Sequence, residues 1–434
     1  MRDVPQRVLT LFDSVCLIVG IIVGAGIYQV APDVAKGSGG VLGFLGLWLL
    51  GGLLSLCGAL GYAELASAYP QAGGDYAYLT RAYGRWAGFL FGWIQLVIVR
   101  PGDIAVMAFA FATYARALYD PFPDGSSAMV RQAYAGLAVA VLTLVNVVGV
   151  RQGKWTQNVL TVVKVLGLGG IAAVALLAPA SDPVSAPAGS LPPSLALILV
   201  LFTFGGWNEM AYVAAEVSNP RRNIVRSLVL GTTVVTVIYL VVNAAFLRAL
   251  GFEGLKTSTA VATDTVRTVF PREAAALISG LVCLSALGAV NGLVFAGARI
   301  SYAVGRDHWV FKPLGRWHSR TGTPVRALVL QGLLAGGLVL VLGSFVDALL
   351  YTAAPVYLFY LASTAAVIVL RRRDPGVERP YRVWGYPVTP LVFCVTCGYL
   401  AWSAVAYKPW VALGALGVLL VGLPVYAVSR RRGP

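Results

Sequence analysis

Twelve long apolar segments, separated by short polar connections, constrain this chain more than any other feature of its sequence. A helix needs roughly 20 apolar residues to cross a bilayer, and the segments match that length. Only 12% of the 434 residues are charged, about half the fraction typical of soluble domains. A membrane barrel would show alternating rather than continuous apolar residues. The pattern predicts an all-α polytopic membrane protein with twelve transmembrane helices (runs 1 to 12) at 8–30, 41–66, 87–112, 131–149, 156–178, 194–216, 224–248, 274–300, 326–343, 346–370, 387–406 and 410–428.

The distribution of basic residues predicts the orientation of the chain. With a cytoplasmic N-terminus, the inner segments contain 22 Lys and Arg residues and the outer loops contain seven. Cytoplasmic loops of membrane proteins carry such an excess of positive charge. We therefore expect a multi-pass protein of the cytoplasmic membrane with both termini in the cytoplasm. The same distribution accounts for much of the net charge of +15 without a nucleic-acid partner.

Two of the runs are weakened by glycine near their middle. Run 1 contains Gly24-Ala25-Gly26, and run 6 contains Gly205-Gly206. A glycine costs about 1 kcal/mol relative to alanine inside a helix, so we expect both helices to break there. Close packing between helices is the alternative explanation for small residues in a membrane helix. Two weakened helices at corresponding positions of two halves indicate the binding site of a transporter.

The connection at 179–193 is rich in Pro, Ser and Ala and divides the chain into two halves of five runs. The first half covers 8–178, the second covers 194–370, and two further helices follow at 387–428. The weakened run comes first in each half. Because five is an odd number, the two halves would have opposite orientations in the membrane, as in an inverted repeat.

Five stretches carry a further pattern: IIVGAGIYQVAP in run 1, GYAELASAYPQAGGDYAYL after run 2, IVRPGDIAVMAFAFATY in run 3, FTFGGWNEMAYVAAEVSNPRRNI in run 6 and LGAVNGLVFAGARISYAVGRD in run 8. Together they resemble the amino acid–polyamine–organocation (APC) superfamily of permeases. Within it, the chain is most similar to the L-type amino acid transporter light chains and their bacterial relatives. The resemblance covers about residues 8–370. It implies a LeuT-like fold of five plus five inverted helices, with runs 1 and 6 broken, and the transport of amino acids.

An α-amino acid has a carboxylate and an ammonium group, and both must leave water on binding. The amides and the positive helix end at the start of the outer piece of run 1 suit the carboxylate. The inner piece of run 1 and the first piece of run 6 leave carbonyls unpaired at their ends. These carbonyls suit the ammonium. In similar proteins the aromatic residue at the Phe202 position closes the site from outside. We expect substrate to bind at the amides of Ala25, Gly26 and Ile27, at the carbonyls of Ile22, Val23, Phe202, Thr203 and Phe204, and, through its side chain, near Val99, Gly205 and Asn208.

Lys164 lies midway along run 5, where a lysine costs roughly 2.5–3.5 kcal/mol to insert and indicates a functional site. Snorkelling to the membrane surface is the alternative. In similar permeases a lysine here occupies the place where sodium-coupled relatives bind a cation, and it ties run 1 to run 8, which suggests a partner near Ser285 or Gly288. That resemblance implies sodium-independent transport. A buried lysine can also titrate in the physiological range, so proton coupling stays open.

Three charged residues lie near the expected side-chain pocket. Arg100 and Asp103 are three residues apart in run 3, so they share a helix face and could neutralise each other. An Asp103 that is not tied to Arg100 would favour a cationic substrate. Glu209, next to Asn208, raises the same possibility. The position of Asp103 is usually small and polar in similar proteins.

Two further acids lie at the inner ends of runs 2 and 6. Glu64 and Glu216 could pair with arginines of the inner loops, and together they could form an inner gate. Alternating access needs such contacts, which break between states.

The cysteines and histidines point to no cofactor, metal site or disulfide. All five cysteines fall inside apolar runs, and the pair Cys394 and Cys397 is interpreted as small buried residues. The two histidines, His308 and His318, lack a second pair of metal ligands nearby. Animal light chains similar to this sequence join a heavy subunit through a cysteine after run 3. The loop at 113–130 has none, so we expect no disulfide-linked heavy subunit.

These observations predict a transporter rather than an enzyme, because no nucleophile–His–acid set or metal cluster appears in the runs. The predicted function is sodium-independent transport of neutral L-amino acids by alternating access, as an exchanger. The alternatives are a proton-coupled amino acid symporter and a transporter of cationic amino acids or polyamines. A channel or a substrate-sensing receptor is the alternative from another class.

Overall fold

The chain is helical throughout most of the part that the structure describes. The computed structural model covers residues 9–70, 73–121, 127–148, 153–177, 190–212, 214, 217–270, 272–318, 321 and 323–431. The β-structure found there consists of two isolated bridges. The helices are α1 Leu11–Ile22, α2 Gly26–Lys36, α3 Val41–Ala68, α4 Asp75–Tyr83, α5 Arg85–Ile94, α6 Arg100–Leu118, α7 Ser127–Val148, α8 Gly153–Leu177, α9 Pro193–Thr203, α10 Glu209–Tyr212, α11 Pro220–Thr257, α12 Val261–Arg267, α13 Arg272–Asp307, α14 Val325–Leu342, α15 Phe345–Arg373, α16 Val388–Tyr407 and α17 Pro409–Arg431.

Among these residues, ten helical segments are long and apolar enough to cross a membrane, judged by length and composition. Two shorter apolar helices, Thr161–Ala175 within α8 and Pro193–Thr203 (α9), correspond to runs 5 and 6. The prediction of an all-α polytopic membrane protein is therefore confirmed. The count of twelve spans and the inverted relation between 8–178 and 194–370 stay predictions.

Run 1 is divided at its glycines, as predicted. α1 begins with a capping box, in which the Thr10 hydroxyl accepts the amide of Asp13 and the Asp13 carboxylate accepts the amide of Thr10. The helix ends at Ile22, and α2 begins at Gly26. Three residues of irregular backbone therefore separate two helices that share one apolar run.

Run 6 is divided in the same way, between Thr203 at the end of α9 and Glu209 at the start of α10. Gly206 in this break has a φ of 111°, a conformation that residues with a Cβ atom rarely adopt. A Cβ atom here would lie only 2.5 Å from Cγ2 of Ile21 in α1. The breaks of runs 1 and 6 therefore touch each other, and only glycine fits the point of contact.

Run 3 was predicted as one uninterrupted helix, but it contains a π-helical turn at Gln95–Val99, between α5 and α6. Such turns are rare and often occur at functional sites. The turn could not be predicted, because four of its five residues are apolar and nothing in them interrupts the run.

α11 packs against the end of α9 through an aromatic cluster. The ring of Tyr239 packs against Phe204, which follows α9, and against Trp48 of α3, with centroids 5.0 Å and 5.6 Å away. All three side chains are buried. Edge-to-face aromatic packing has a preferred geometry, so this cluster fixes the end of α9 relative to α3 and α11.

Candidate functional site

A cavity of about 140 Å³ lies where the two breaks meet. One water molecule needs about 10–15 Å³ on the same scale, so the cavity has room for a much larger solute. Its wall combines both breaks with the π-helical turn and with faces of α6, α13 and α15. The residues that line it include Gly20, Ile22, Gly24, Gly26, Gln95, Val99, Arg100, Asp103, Met107, Phe202, Thr203, Gly205, Asn208, Glu209, Gly288, Ala289, Thr352, Tyr357 and Tyr360.

Most of the predicted substrate-binding residues are on this wall. Phe204 instead faces the aromatic cluster with Trp48 and Tyr239. Glu216 lies outside the described residues. The predicted residues that line the cavity are Ile22, Gly26, Val99, Asp103, Phe202, Thr203, Gly205, Asn208 and Glu209, whereas Val23, Ala25, Ile27, Phe204, Lys164, Ser285 and Glu64 do not.

The amides at the start of α2 are available to a ligand. Within the described residues, the N–H groups of Ala25, Gly26 and Ile27 have no acceptor, while the next amide, that of Tyr28, bonds to the carbonyl of Ala25 at 3.1 Å. Free amides at a helix N-terminus attract anions, because the helix dipole adds to their partial positive charge. This end of α2 therefore suits a carboxylate.

The carbonyls at the breaks differ from the prediction that all of them are unpaired. The Ile22 oxygen accepts hydrogen bonds from the Gly24 amide at 2.7 Å and from the Tyr239 hydroxyl at 2.8 Å. The Thr203 oxygen also lies 3.1 Å from that hydroxyl. For these carbonyls the prediction was wrong, because α11 brings a donor to both breaks.

Other carbonyls of the breaks have a different status. The Phe202 oxygen accepts the Gly205 amide at 2.8 Å, so it is not unpaired either. Among the described residues, the oxygens of Val23 and Phe204 receive no backbone donor and no side-chain donor. The oxygens of Gly24 and Gly205, whose residues line the cavity, receive none there either, so each break keeps more than one unused acceptor of partial negative charge.

Arg100 pairs with Glu209 rather than with Asp103. Its Nη2 atom lies 2.6 Å from Oε1 of Glu209, and its Nε atom donates to Oε1 of Gln95 at 3.0 Å. The two charged side chains are 3% and 10% exposed. The interpretation that Arg100 and Asp103 neutralise each other is therefore wrong. Sequence spacing could not reveal the competing partner, which comes from the other half of the chain.

Lys164 reaches run 1, as the resemblance implied. Its Nζ atom donates to the carbonyl of Gly20 at 3.3 Å, and the side chain is buried. The Ser285 hydroxyl, by contrast, is buried without a hydrogen-bond partner among the described residues. The predicted link from Lys164 to run 8 through Ser285 is therefore not present in this structure.

Run 10 contributes two tyrosines to the site that were not predicted from the sequence. The Tyr360 hydroxyl of α15 donates to Oδ1 of Asn208 at 3.2 Å, and the Tyr357 hydroxyl donates to the carbonyl of Ile198 at 3.3 Å. Both tyrosines line the cavity. Polar side chains within an apolar run, close to the helix-interior Pro355, were the signal that could have identified them.

Glu64 binds arginines, as predicted. Both of its carboxylate oxygens accept hydrogen bonds from Arg371, at 2.7 Å and 2.6 Å. Arg379 lies 3.5 Å away, and the Val383 amide donates to Glu64 at 2.7 Å. A carboxylate that is 3% exposed is thus satisfied by the last turn of α15 and by the segment that follows it.

The cysteines and acids assemble no metal centre in the part of the chain that the structure covers. All five cysteines are free thiols. No group of three or more His, Cys, Asp or Glu side chains lies close enough there to hold a metal ion. The cavity wall offers a ligand backbone dipoles and three charged side chains.

A bundle of membrane-length apolar helices, with two broken helices meeting at an internal cavity, defines a helical membrane transporter. The protein-family model described as "Amino acid permease" matches residues 9–421. The chain therefore belongs to this family, within the APC superfamily, and is an amino acid transporter and not an enzyme.

Two groups of relatives illustrate the similarity. The chain is 30% identical over 436 residues to the human b(0,+)-type amino acid transporter 1, covering 97% of this chain and 87% of that protein. It is 31% identical over 434 residues to the mouse large neutral amino acids transporter small subunit 2, covering 97% of this chain and 80% of that protein. The similarity extends over nearly the whole chain, including both breaks.

Proposed function

We propose that the protein exchanges L-amino acids across the cytoplasmic membrane, independently of sodium, by alternating access. The observation that carries this proposal is the buried Lys164 ammonium on the carbonyl of Gly20, two residues before the end of α1. A fixed ammonium at this carbonyl supplies the positive charge that a bound metal cation would otherwise bring. No sodium ion is then needed to hold α1 in place.

The substrate's α-carboxylate binds the amides of Ala25, Gly26 and Ile27, and its ammonium binds the acceptors left at the breaks. Both charged groups then exchange water for oriented backbone dipoles. The free amides and the unused oxygens of Gly24 and Gly205, two residues that line the cavity, support this arrangement. Backbone groups recognise every L-amino acid alike, so the cavity wall must decide which side chain is accepted.

Access to the cavity changes as contacts at its two ends form and break. Phe202 packs edge-to-face against Phe345 of α15, with ring centroids 6.2 Å apart, and this contact supports closure on the outer side. Glu64 and Arg371 would belong to the inner gate, with Glu216 as a further proposed member. Both termini would be cytoplasmic, and the protein would work without a disulfide-linked heavy subunit.

A cationic amino acid is the alternative to the neutral substrate predicted from the sequence. Asp103 lines the cavity without an ion pair among the described residues, which favours a cationic amino acid as a second candidate substrate. Proton coupling through Lys164 or Asp103 is the alternative mode of energisation.

Uptake of labelled leucine into proteoliposomes tests the exchange mechanism. We expect uptake that requires amino acid inside the vesicles and that is the same in sodium and in choline buffer. Uptake into empty vesicles driven by a pH gradient would instead establish proton coupling.

Lys164→Ala tests the role of the buried ammonium. We expect at least about tenfold slower exchange, because the end of α1 loses a charge-assisted hydrogen bond. The matched control is Lys256→Ala, since Lys256 pairs with Glu253 only three residues away. Equal effects of the two substitutions would remove Lys164 from the mechanism.

A further inference from the structure

Three charged side chains line the cavity in the described part of the chain: Arg100, Asp103 and Glu209. They carry one positive and two negative charges, so the wall has an excess of one negative charge when all three are ionised. A buried carboxylate without a counter-charge is unfavourable. A ligand that brings a positive charge therefore complements this wall.

The position of the Arg100 side chain decides which carboxylate remains without a counter-charge. Arg100 and Asp103 are three residues apart on α6, close enough on one helix face for an ion pair. The guanidinium instead points to Glu209 and is held from a second direction by Gln95. No ion pair is found for Asp103 among the described residues, although Arg100 and Glu209 are its charged neighbours.

The spacing of Asp103 and Met107 along α6 suits an extended substrate side chain. Met107, which is four residues further along α6, has its sulfur 3.6 Å from the place where a Cβ atom of Gly24 would lie. Four helical residues span about 6 Å along the axis. A substrate whose α-groups bind at the break of run 1 can therefore reach Asp103 with a side chain as long as that of lysine or arginine.

We propose that Glu209 is a positioning residue for substrate selection: it holds Arg100 away from Asp103, and the Asp103 carboxylate on the cavity wall then binds the cationic end of a dibasic amino acid. This inference rests on the proposed transport function. When Glu209 loses its charge, the guanidinium turns to Asp103, and the negative subsite disappears. Glu209 thus sets the charge of the subsite through Arg100, without touching the substrate.

The test compares KM and maximal rate for L-lysine and L-leucine in leucine-loaded proteoliposomes. We expect Glu209→Gln to raise the ratio of the lysine KM to the leucine KM about tenfold or more. Asp103→Asn should produce the same shift, and the double variant should add nothing further. Glu209→Asp should restore lysine affinity. Glu378→Gln is the matched control, because its pair with Arg221 is exposed.

Three outcomes would overturn the inference: an equal loss of lysine and leucine transport in Glu209→Gln, unchanged lysine affinity in Asp103→Asn, or a wild type that transports leucine but not lysine. Asp103→Asn leaves the Arg100–Glu209 pair intact, so it decides the question even where Glu209→Gln does not fold. A wild type that transports neither amino acid would contradict the proposed function instead.

Discussion

The hydroxyl oxygen of Tyr239 lies 2.8 Å from the carbonyl oxygen of Ile22. This hydrogen bond joins the middle of α11 to the last residue of α1. The same hydroxyl lies 3.1 Å from the carbonyl oxygen of Thr203, the last residue of α9. One side chain thus contacts the ends of both broken helices on the side away from the cavity.

Replacing Tyr239 by phenylalanine removes this contact and keeps the aromatic packing. We expect Tyr239→Phe to lower the free energy of unfolding by about 1 kcal/mol and to raise KM for leucine, because the two helix ends lose their shared donor. Thermal unfolding in detergent and uptake kinetics measure the two effects. Tyr114→Phe is the control, since Tyr114 also donates to a backbone carbonyl, that of Tyr28, which lies within α2 and not at the end of α1 or α9. The same KM change in both variants would contradict a specific role for Tyr239.

Substitution of Gly206 tests the contact between the breaks. We expect Gly206→Ala to destabilise the protein by about 1–3 kcal/mol, because its backbone conformation is strained for alanine and the new Cβ atom meets Ile21. Gly24→Ala is the control, because its nearest neighbour would be the Met107 sulfur at an ordinary 3.6 Å. Equal thermal stability of the two variants would show that the breaks are not tightly packed.

Neutralising Glu64 tests the ion cluster at the end of α3. Glu64→Gln leaves Arg371 and Arg379 without their carboxylate, and breaking a buried pair costs about 3 kcal/mol. Glu378→Gln breaks an exposed pair with Arg221 and should change stability by less than about 1 kcal/mol. Chemical denaturation in detergent compares the two. A Glu64→Gln variant as stable as Glu378→Gln would show that the cluster contributes little to the fold.

His308 predicts a dependence of stability on pH. Burial beside Phe89, close to Tyr76, lowers the pKa of this imidazole below its ordinary value, which is about 6.5. As the pH falls, the imidazole of the unfolded chain therefore takes up a proton before that of the folded protein does. The free energy of unfolding is unaffected by this group above about pH 6.5 and decreases as the pH falls below that value.

The measurement is the melting temperature between pH 7.5 and 5, for wild type and for His308→Gln. We expect the wild-type melting temperature to fall over this range and the variant to show a smaller fall. His318→Gln, at the exposed second histidine, should behave as wild type does. A variant with the full wild-type decrease would assign the pH dependence to other groups.

The helix breaks could be predicted from the sequence, because glycine destabilises a helix at its own position. The apolar runs locate each helix independently of the glycines. Lys164 and Glu64 could also be singled out, since a charge within an apolar run needs a partner. The individual partner residues were not predicted. The expectation was an arginine for Glu64 and a contact with run 1 for Lys164.

The contacts between distant parts of the chain could not be predicted. Arg100 has an acid at the favourable helical spacing, yet it pairs with Glu209, because the break of run 6 brings that residue to the same cavity. The Tyr239 hydroxyl occupies carbonyls that the local sequence leaves open. In both cases tertiary packing provides a partner that competes with the local one.

The π-helical turn at Gln95–Val99 determines how α6 is rotated about the helix axis relative to α5. Each residue of an α-helix advances by about 100° around the axis, and a π turn accommodates one additional residue. Deleting a single residue within the turn would rotate Arg100, Asp103 and Met107 together by about that angle, while the hydropathy of run 3 would hardly change. A deletion of one residue in this turn can thus abolish or change the selectivity of the cavity, although every charged residue is still present in the sequence.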